Sequence, residues 1–100
     1  MTTEEKNKFE NLRDSKLIVR HQNGDVLAFG VLADLHRVEL YRYNFRFLHN
    51  KEDAEDALQE ELIILYNSLN NGKYIEHQVF GGWLKLTAKY YLMNLKGKEN

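Results

Sequence analysis

Six carboxylate side chains lie within ten residues near the middle of the sequence. They belong to the segment "NKEDAEDALQEELIILYNSL", residues 50 to 69, and are Glu52, Asp53, Glu55, Asp56, Glu60 and Glu61. Closely spaced carboxylates act as general acids, as metal ligands or as partners of basic side chains. We expect these acids to be exposed, and an exposed carboxyl lacks the strongly raised pKa that an acid catalyst needs. Binding to basic groups is therefore the favoured chemistry.

The spacing of the acids predicts an acidic face on an amphipathic helix. At about 100° per residue, Asp53, Asp56 and Glu60 fall within about 60° of one another, and Gln59 and Ile63 extend the same face. Like charges four residues apart, as in Asp56 and Glu60, destabilise a helix by about 0.2–0.5 kcal/mol. Basic side chains on another molecule would explain such a face, and an acidic face that is merely solvated is the alternative.

A basic segment lies near the end of the sequence. Residues 83 to 100 carry four lysines and one glutamate, although the whole chain has a net charge of −1. On a helical wheel Lys85, Lys89 and Lys96 fall within about 40°, a stripe suited to a phosphate backbone. A chain with separate acidic and basic segments can bind two partners of opposite charge, and chance clustering on the surface is the alternative.

Other chemistry finds little support in the sequence. The four histidines are scattered without the spacing of a metal site, and no glycine-rich phosphate loop precedes a Lys-Ser or Lys-Thr pair. The absence of cysteine excludes disulfides and fits a cytoplasmic protein. No apolar run has the about 20 residues of a membrane span. We expect no enzyme activity, no metal and no cofactor.

The elements that position these residues are predicted to be helices. An apolar content of 43% indicates that the chain folds. It has no proline and helix formers dominate, which predicts an all-α fold, a compact bundle of three to four helices. We expect residues 1–13 to form a flexible N-terminal segment and residues 14–98 the helical domain. The stretch from 14 to 22 is predicted as a short helix; a hairpin around Asn23 and Gly24 is the alternative.

Apolar spacing indicates three longer helices. The first covers residues 26 to 48, with Asp25 as its N-cap and a bend or break near Arg37; the second begins after the N-cap Asn50, with Asp53 at the third helical position. The expected core positions are Phe29, Leu32, Leu35, Val38, Leu40, Tyr41, Phe45 and Leu48, then Ala54, Leu58, Leu62, Leu65 and Leu69, and in the last helix Phe80, Leu84, Ala88, Tyr91 and Leu95.

Four landmarks in this order resemble region two of bacterial sigma factors, and among these the extracytoplasmic-function (ECF) group. They are Gly24, Asp25, Ala28 and Phe29; Leu40 to Tyr43; the "DAEDALQE" block from Asp53 to Glu60; and Phe80, Trp83 and Leu84 at the start of the last helix. Each landmark is weak alone, but their order and spacing over residues 14 to 98 are specific to this family.

The resemblance implies two interfaces. In the family the acidic helix docks on the basic clamp helices of the largest catalytic subunit of core RNA polymerase, and the matching residues are Asp53, Asp56, Gln59, Glu60 and Ile63. The last helix and its preceding loop capture the melted non-template strand of the promoter minus-ten element, and the candidate residues are Lys73, Phe80, Trp83, Lys85, Lys89, Tyr90, Asn94 and Lys96. Core packing is the favoured role for Phe80 and Trp83. An anti-sigma factor is a further implied partner.

Two departures from the family limit what the resemblance implies. Lysines stand where most ECF members have arginines in the last helix, and lysine lacks the planar fork of a guanidinium group. A polymerase- or regulator-binding module without promoter recognition is therefore the alternative function, and a helical structural domain or metal-dependent enzyme comes after it. The family's region four has no counterpart in these 100 residues, so we expect a shortened longer factor or a region-two-only protein.

Overall fold

The computed structural model describes residues 2–71 and 80–98, and four helices account for almost all of this backbone. They are α1 (Thr3–Gln22), α2 (Ala28–Leu48), α3 (Lys51–Asn70) and α4 (Phe80–Lys98). No strand occurs among the described residues, so the predicted all-α bundle is confirmed. Helices α2 and α3 form the largest interface, α1 packs mainly on α2, and α4 closes the bundle against the other three.

The first helix is longer than the sequence predicts. It begins at Thr3 rather than near Asp14, because the side chain of Thr2 accepts a hydrogen bond from the backbone N–H of Glu5 at 3.2 Å and caps the first turn. Residues 2 to 9 are nevertheless exposed. This additional stretch is therefore a solvated helix that has no apolar stripe from which its start could be predicted.

The turn between α1 and α2 excludes the hairpin alternative, because helices flank it on both sides. Gly24 adopts the left-handed conformation, with φ of 95°. Asp25 does not cap α2 as predicted: α2 begins three residues later, at Ala28, and Leu27 at the capping position makes no side-chain bond. Instead Asp25 accepts from the backbone N–H of Leu27 at 3.0 Å and from the Arg20 guanidinium at 2.9 Å, which fixes the turn.

Helix α2 runs without the predicted break, and its rotation differs from the prediction. Its buried positions follow a four-residue spacing: Ala28, Leu32, His36, Leu40 and Asn44, with Ala33 beside them. Three positions that the sequence assigns to the core, Leu35, Val38 and Phe45, are 43%, 59% and 43% exposed. The apolar spacing predicts the wrong buried side of α2 because two of its inward-facing residues, His36 and Asn44, are polar.

The other two core stripes agree well with the sequence. In α3 the cap Asn50 accepts from the backbone N–H of Asp53 at 2.9 Å, as predicted. The residues Ala54, Leu58, Leu65 and Leu69 are buried and Leu62 is half-buried. In α4 the core positions are Phe80, Leu84, Ala88 and Leu92, whereas Tyr91 and Leu95 are half-buried.

A buried polar contact ties α1 to α2. The Asp14 carboxylate is 2% exposed, its Oδ2 lies 3.0 Å from His36 Nε2, and its Oδ1 accepts from Arg13 Nη2 at 3.1 Å. The His36 ring in turn lies edge-on to the ring of Phe80, with centroids 5.2 Å apart. Asp14 therefore holds together the side chains that join α1 and α2 to the start of α4.

We predict that Asp14→Ala lowers the free energy of unfolding by about 1–3 kcal/mol, because it leaves the buried His36 ring without the carboxylate that lies 3.0 Å from its Nε2. Urea denaturation followed by circular dichroism measures the loss. The control is Asp34→Ala, which removes an exposed carboxylate paired with Arg37 and should change stability by no more than about 0.5 kcal/mol. Equal losses in the two variants would contradict a special role for the buried carboxylate.

Candidate functional site

The acidic face of α3, defined as Asp53, Asp56, Gln59, Glu60 and Ile63, is exposed along its whole length. All five residues are solvent-accessible, and the Ile63 side chain is 54% exposed. The buried stripe of α3 lies on the other side of the helix, so these side chains are not needed to close the core. Their position on a well-packed helix fixes the face rigidly.

Several carboxylates outside α3 have basic partners, although Glu4, Glu5 and Glu10 of α1 form no ion pair with a described residue. Asp14, Asp25, Asp34 and Glu39 each form an ion pair with a basic side chain. In the part of the chain that the structure describes, no such pair involves an acid of α3. The acidic face therefore presents uncompensated negative charge to the solvent.

Glu61 does not share this exposure, and the expectation that all six acids are exposed is wrong. It is fully buried, one residue past Glu60 and on the side of the helix that carries Ala57 and Leu65. Asn44 Nδ2 donates to Glu61 Oε1 at 2.9 Å and also to the backbone oxygen of Ala54 at 3.3 Å. Burial raises the Glu61 pKa to about 7, although the bond from Asn44 opposes the rise.

A groove between α2 and α3 borders the acidic face. Its volume is about 490 Å³, and Val38, Tyr41, Leu58 and Gln59 are among the residues that line it. Tyr41 stacks on Phe45 with ring centroids 6.2 Å apart, which continues the apolar surface along α2. Gln59 thus belongs both to the acidic face and to this groove, which the charged residues Arg37, Lys51 and Glu55 also line. The apolar side chains of the groove could take up apolar groups of a helix that binds the acidic face.

The lysine face of α4, defined as Lys85, Lys89 and Lys96, is also exposed. Two contacts orient it toward the edge of α2. Lys85 Nζ lies 2.7 Å from Glu39 Oε1, and Lys96 Nζ lies 5.2 Å from the centre of the Phe47 ring. Lys73, the remaining predicted lysine, lies outside the described residues. The three lysines of the predicted stripe are thus exposed together on α4, but Lys85 shares its charge with Glu39.

Apolar and aromatic side chains lie beside the lysine face. Tyr90 is 58% exposed, as its predicted role on DNA requires, and Asn94 is exposed nearby. Leu86 and Met93, 47% and 51% exposed, lie on the same outer side of α4 and were not among the predicted residues. The sequence could have identified them, because each stands three residues before a lysine, Lys89 or Lys96, and this spacing places the two side chains together on the helix surface.

Phe80 and Trp83 pack in the core. Phe80 is fully buried, and its ring centroid lies 6.0 Å from that of the half-buried Trp83. The Thr87 hydroxyl donates to the backbone oxygen of Trp83 at 2.9 Å within the first turns of α4. Both side chains thus pack in the core, the role that the sequence analysis favours for them. In this conformation the Phe80 ring is not accessible to a base.

The acidic face and the lysine face lie on different sides of the domain. Tyr91 faces away from the lysines on α4, and its pKa is raised by burial and then by the charges of Glu60, Glu61 and Asp56. The inner side of α4 therefore lies along α3, whereas its lysines point outward over α2. A basic partner and an acidic partner could bind at the same time.

The described residues hold no group of three histidine, aspartate or glutamate side chains placed to bind a metal ion. Nor does the described part of the chain contain a helix long and apolar enough to cross a membrane.

Comparison with known proteins agrees with the arrangement of these helices. The family model described as Sigma-70 region 2 matches residues 32–99. The chain therefore belongs to the Sigma-70 region 2 family, a domain of transcription initiation factors, which are not enzymes.

Among curated proteins, the chain is similar to the RNA polymerase sigma-H factor of Pseudomonas aeruginosa strain PAO1. The two are 34% identical over 85 residues, which is 81% of this chain and 43% of the relative. The chain thus spans less than half the length of that relative. No solved structure matches the chain at a significant level.

We predict that Glu61 makes the stability of the domain depend on pH. Its pKa is about 7 in the folded state against an ordinary value of 4.5, so the folded state binds the proton more tightly. The stabilisation is complete below about pH 4.5, is lost as the pH rises to about 7, and amounts to about 3 kcal/mol. Unfolding free energies of the wild type at pH 5 and pH 8 measure this difference.

Glu61→Gln isolates the effect, because glutamine cannot ionise. Its amide also supplies a hydrogen-bond donor at a place where the wild type buries two oxygens, Glu61 Oε2 and Asn44 Oδ1, without a described partner. The variant should be more stable than the wild type at pH 8 and should show a flatter pH dependence. Glu60→Gln is the matched control, since Glu60 is exposed and adjacent. A pH profile of Glu61→Gln that coincides with the wild-type profile would show that Glu61 does not control it.

Proposed function

We propose that this domain binds core RNA polymerase through the acidic face of α3 and holds the melted promoter strand with α4 and the loop before it. Membership of the Sigma-70 region 2 family supports a role in transcription initiation. The observation that carries the polymerase interface is the row of exposed carboxylates on α3 that form no ion pair with a described residue. The domain would act in the cytoplasm, with RNA polymerase, as an ECF-type factor.

The chemistry of the acidic face fits the basic clamp helices of the polymerase. Asp56 and Glu60 are one turn apart, so two arginines on a partner helix could each receive charge-assisted hydrogen bonds. Their mutual repulsion in the unbound domain would be relieved by that partner, which adds to the gain on binding. Ile63 and the groove beside Gln59 would then bury apolar side chains of the same helix.

The lysine face supports binding of single-stranded DNA. Lys89 and Lys96 are exposed and form no ion pair with a described residue. Tyr90, Leu86 and Met93 offer exposed rings and chains beside them, and stacking of a base on an aromatic side chain contributes about 1–3 kcal/mol. Asn94 would add a hydrogen bond to a base or to the backbone.

A second candidate function is a module that binds polymerase or a regulator, such as an anti-sigma factor, without promoter recognition. The contact between Lys85 and Glu39 favours it, because this pair already uses one of the three lysines inside the domain. Helix α4 also contains no arginine. The two functions share the acidic face and differ in whether α4 binds DNA.

We predict that the double variant Asp56→Lys, Glu60→Lys loses binding to core RNA polymerase while its helical circular dichroism spectrum is unchanged. Pull-down of core polymerase by the wild-type domain and by the variant tests this. The control is Glu4→Lys, Glu10→Lys, which makes the same change of net charge on α1 and should bind like the wild type. Retained binding by the α3 variant would remove the acidic face from the interface.

We predict that the triple variant Lys85→Ala, Lys89→Ala, Lys96→Ala binds single-stranded minus-ten DNA more weakly and with a flatter salt dependence. Each lost phosphate contact should reduce the slope of log K against log salt concentration by about 0.7. Fluorescence anisotropy with a labelled oligonucleotide measures both quantities. Unchanged affinity and slope, with polymerase binding intact, would favour the module that lacks promoter recognition.

A further inference from the structure

Two arginines of α2 stand apart from the other three in the chain. Arg13, Arg20 and Arg37 each form an ion pair with a carboxylate, at 3.1, 2.7 and 3.3 Å. Arg42 and Arg46 are exposed and have no such partner among the described residues. Two guanidinium groups one turn apart on one helix that keep their charge free can both donate charge-assisted hydrogen bonds to an anion.

These two arginines border the lysine face of α4. Arg46 follows Glu39 by seven residues, two helical turns, and therefore lies on the same side of α2. Glu39 is the residue that contacts Lys85, and Phe47, next to Arg46, is the residue that lies under Lys96. The side of α2 that meets the lysines thus continues directly into the arginines.

A groove between α1 and α2 extends this basic surface further. Its volume is about 580 Å³, and its basic lining residues are Lys6, Arg42 and Arg46, opposite the acids Glu10 and Glu39. The hydrogen bond from Lys85 lowers the pKa of Glu39 and compensates its charge. The groove therefore carries an excess of positive charge and adjoins the Lys85–Glu39 contact.

We propose that Arg42 and Arg46 form a phosphate-binding site that extends the lysine face of α4 across α2, with the phosphodiester backbone of promoter DNA as its ligand. The inference rests on the proposed binding of DNA by α4 and adds a site on a different helix. Guanidinium groups bind phosphate oxygens in a bidentate manner, which lysines do not, so α2 would supply the geometry that the arginine-free α4 lacks.

An acidic protein segment is the other ligand that basic side chains could accept. Continuity with the lysine face favours DNA, because phosphates spaced regularly along a strand match cations that continue from one helix to the next. A protein partner would not require the arginines and the lysines to act on the same ligand. The two ligands therefore predict different responses in a DNA-binding measurement.

The test compares Arg42→Ala, Arg46→Ala with the wild type by fluorescence anisotropy, using a labelled single-stranded oligonucleotide over a series of potassium chloride concentrations. The variant should bind more weakly, and its slope of log K against log salt should fall by about 1.4, or about 0.7 for each lost phosphate contact. Arg20→Ala, Arg37→Ala is the matched control, since it removes two positive charges that are paired inside the domain. Arg42→Lys, Arg46→Lys should keep most of the slope and lose part of the affinity.

If the slope of log K against log salt is the same for Arg42→Ala, Arg46→Ala and for the control variant, the two arginines do not bind phosphate and the proposed site is wrong. If the lysine variant of α4 loses DNA binding and the arginine variant does not, only this inference fails, and the proposed function stands. If the wild type binds no oligonucleotide, both fail. Loss of polymerase binding by the arginine variant with unchanged DNA binding would overturn the site in favour of a protein ligand, so pull-down of core polymerase is measured in parallel.

Discussion

The buried amide of Asn44 is the contact on which the orientation of the acidic helix depends. It reaches from α2 into α3, where it donates both to a Glu61 oxygen and to the backbone of Ala54. A polar group without partners in the interior is costly, so these bonds restrict how α3 can rotate against α2. Once Glu61 faces inward, the helical period of 100° per residue turns Asp56 and Glu60 outward. The exposure of the acidic face is thus a consequence of a polar contact in the core.

The position of α4 then separates the two kinds of charge. Its apolar side, with Phe80, Leu84 and Ala88, fills the space that the other helices leave. Its lysines are consequently directed to the edge of α2, while Tyr91 lies against the acids of α3. Opposite charges on one small surface would attract each other and lower the affinity for outside partners. Here the bulk of the bundle keeps the acids of α3 and the lysines of α4 apart, and among the described residues of these two faces only Lys85 shares its charge, with the acid Glu39 of α2.

The fold class, the α3 stripe and the Asn50 cap could be predicted because they depend on local signals: helix propensity, apolar spacing and a capping residue before an acidic turn. The exposed acidic face followed from the same spacing. The rotation of α2 could not be predicted, since His36 and Asn44 are inward-facing only in the presence of Asp14 and Glu61 on other helices. The buried state of Glu61 depends on the same tertiary contact. The start of α1 was missed because its first turns pack against little and carry no apolar period.

Pairing within the domain divides its charged side chains into two groups that composition alone cannot distinguish. The aspartates of α1, of the following turn and of α2 each contact a basic side chain and stabilise the fold or its turns. Across the described residues, the acids of α3, two lysines of α4 and two arginines of α2 have no such contact. An unpaired charge on a rigid helix contributes little to folding, because water solvates it equally well in the unfolded chain. Its gain in free energy would come on meeting a partner, so the unpaired acids of α3 and the unpaired cations of α4 and α2 are charges that remain available to the proposed partners.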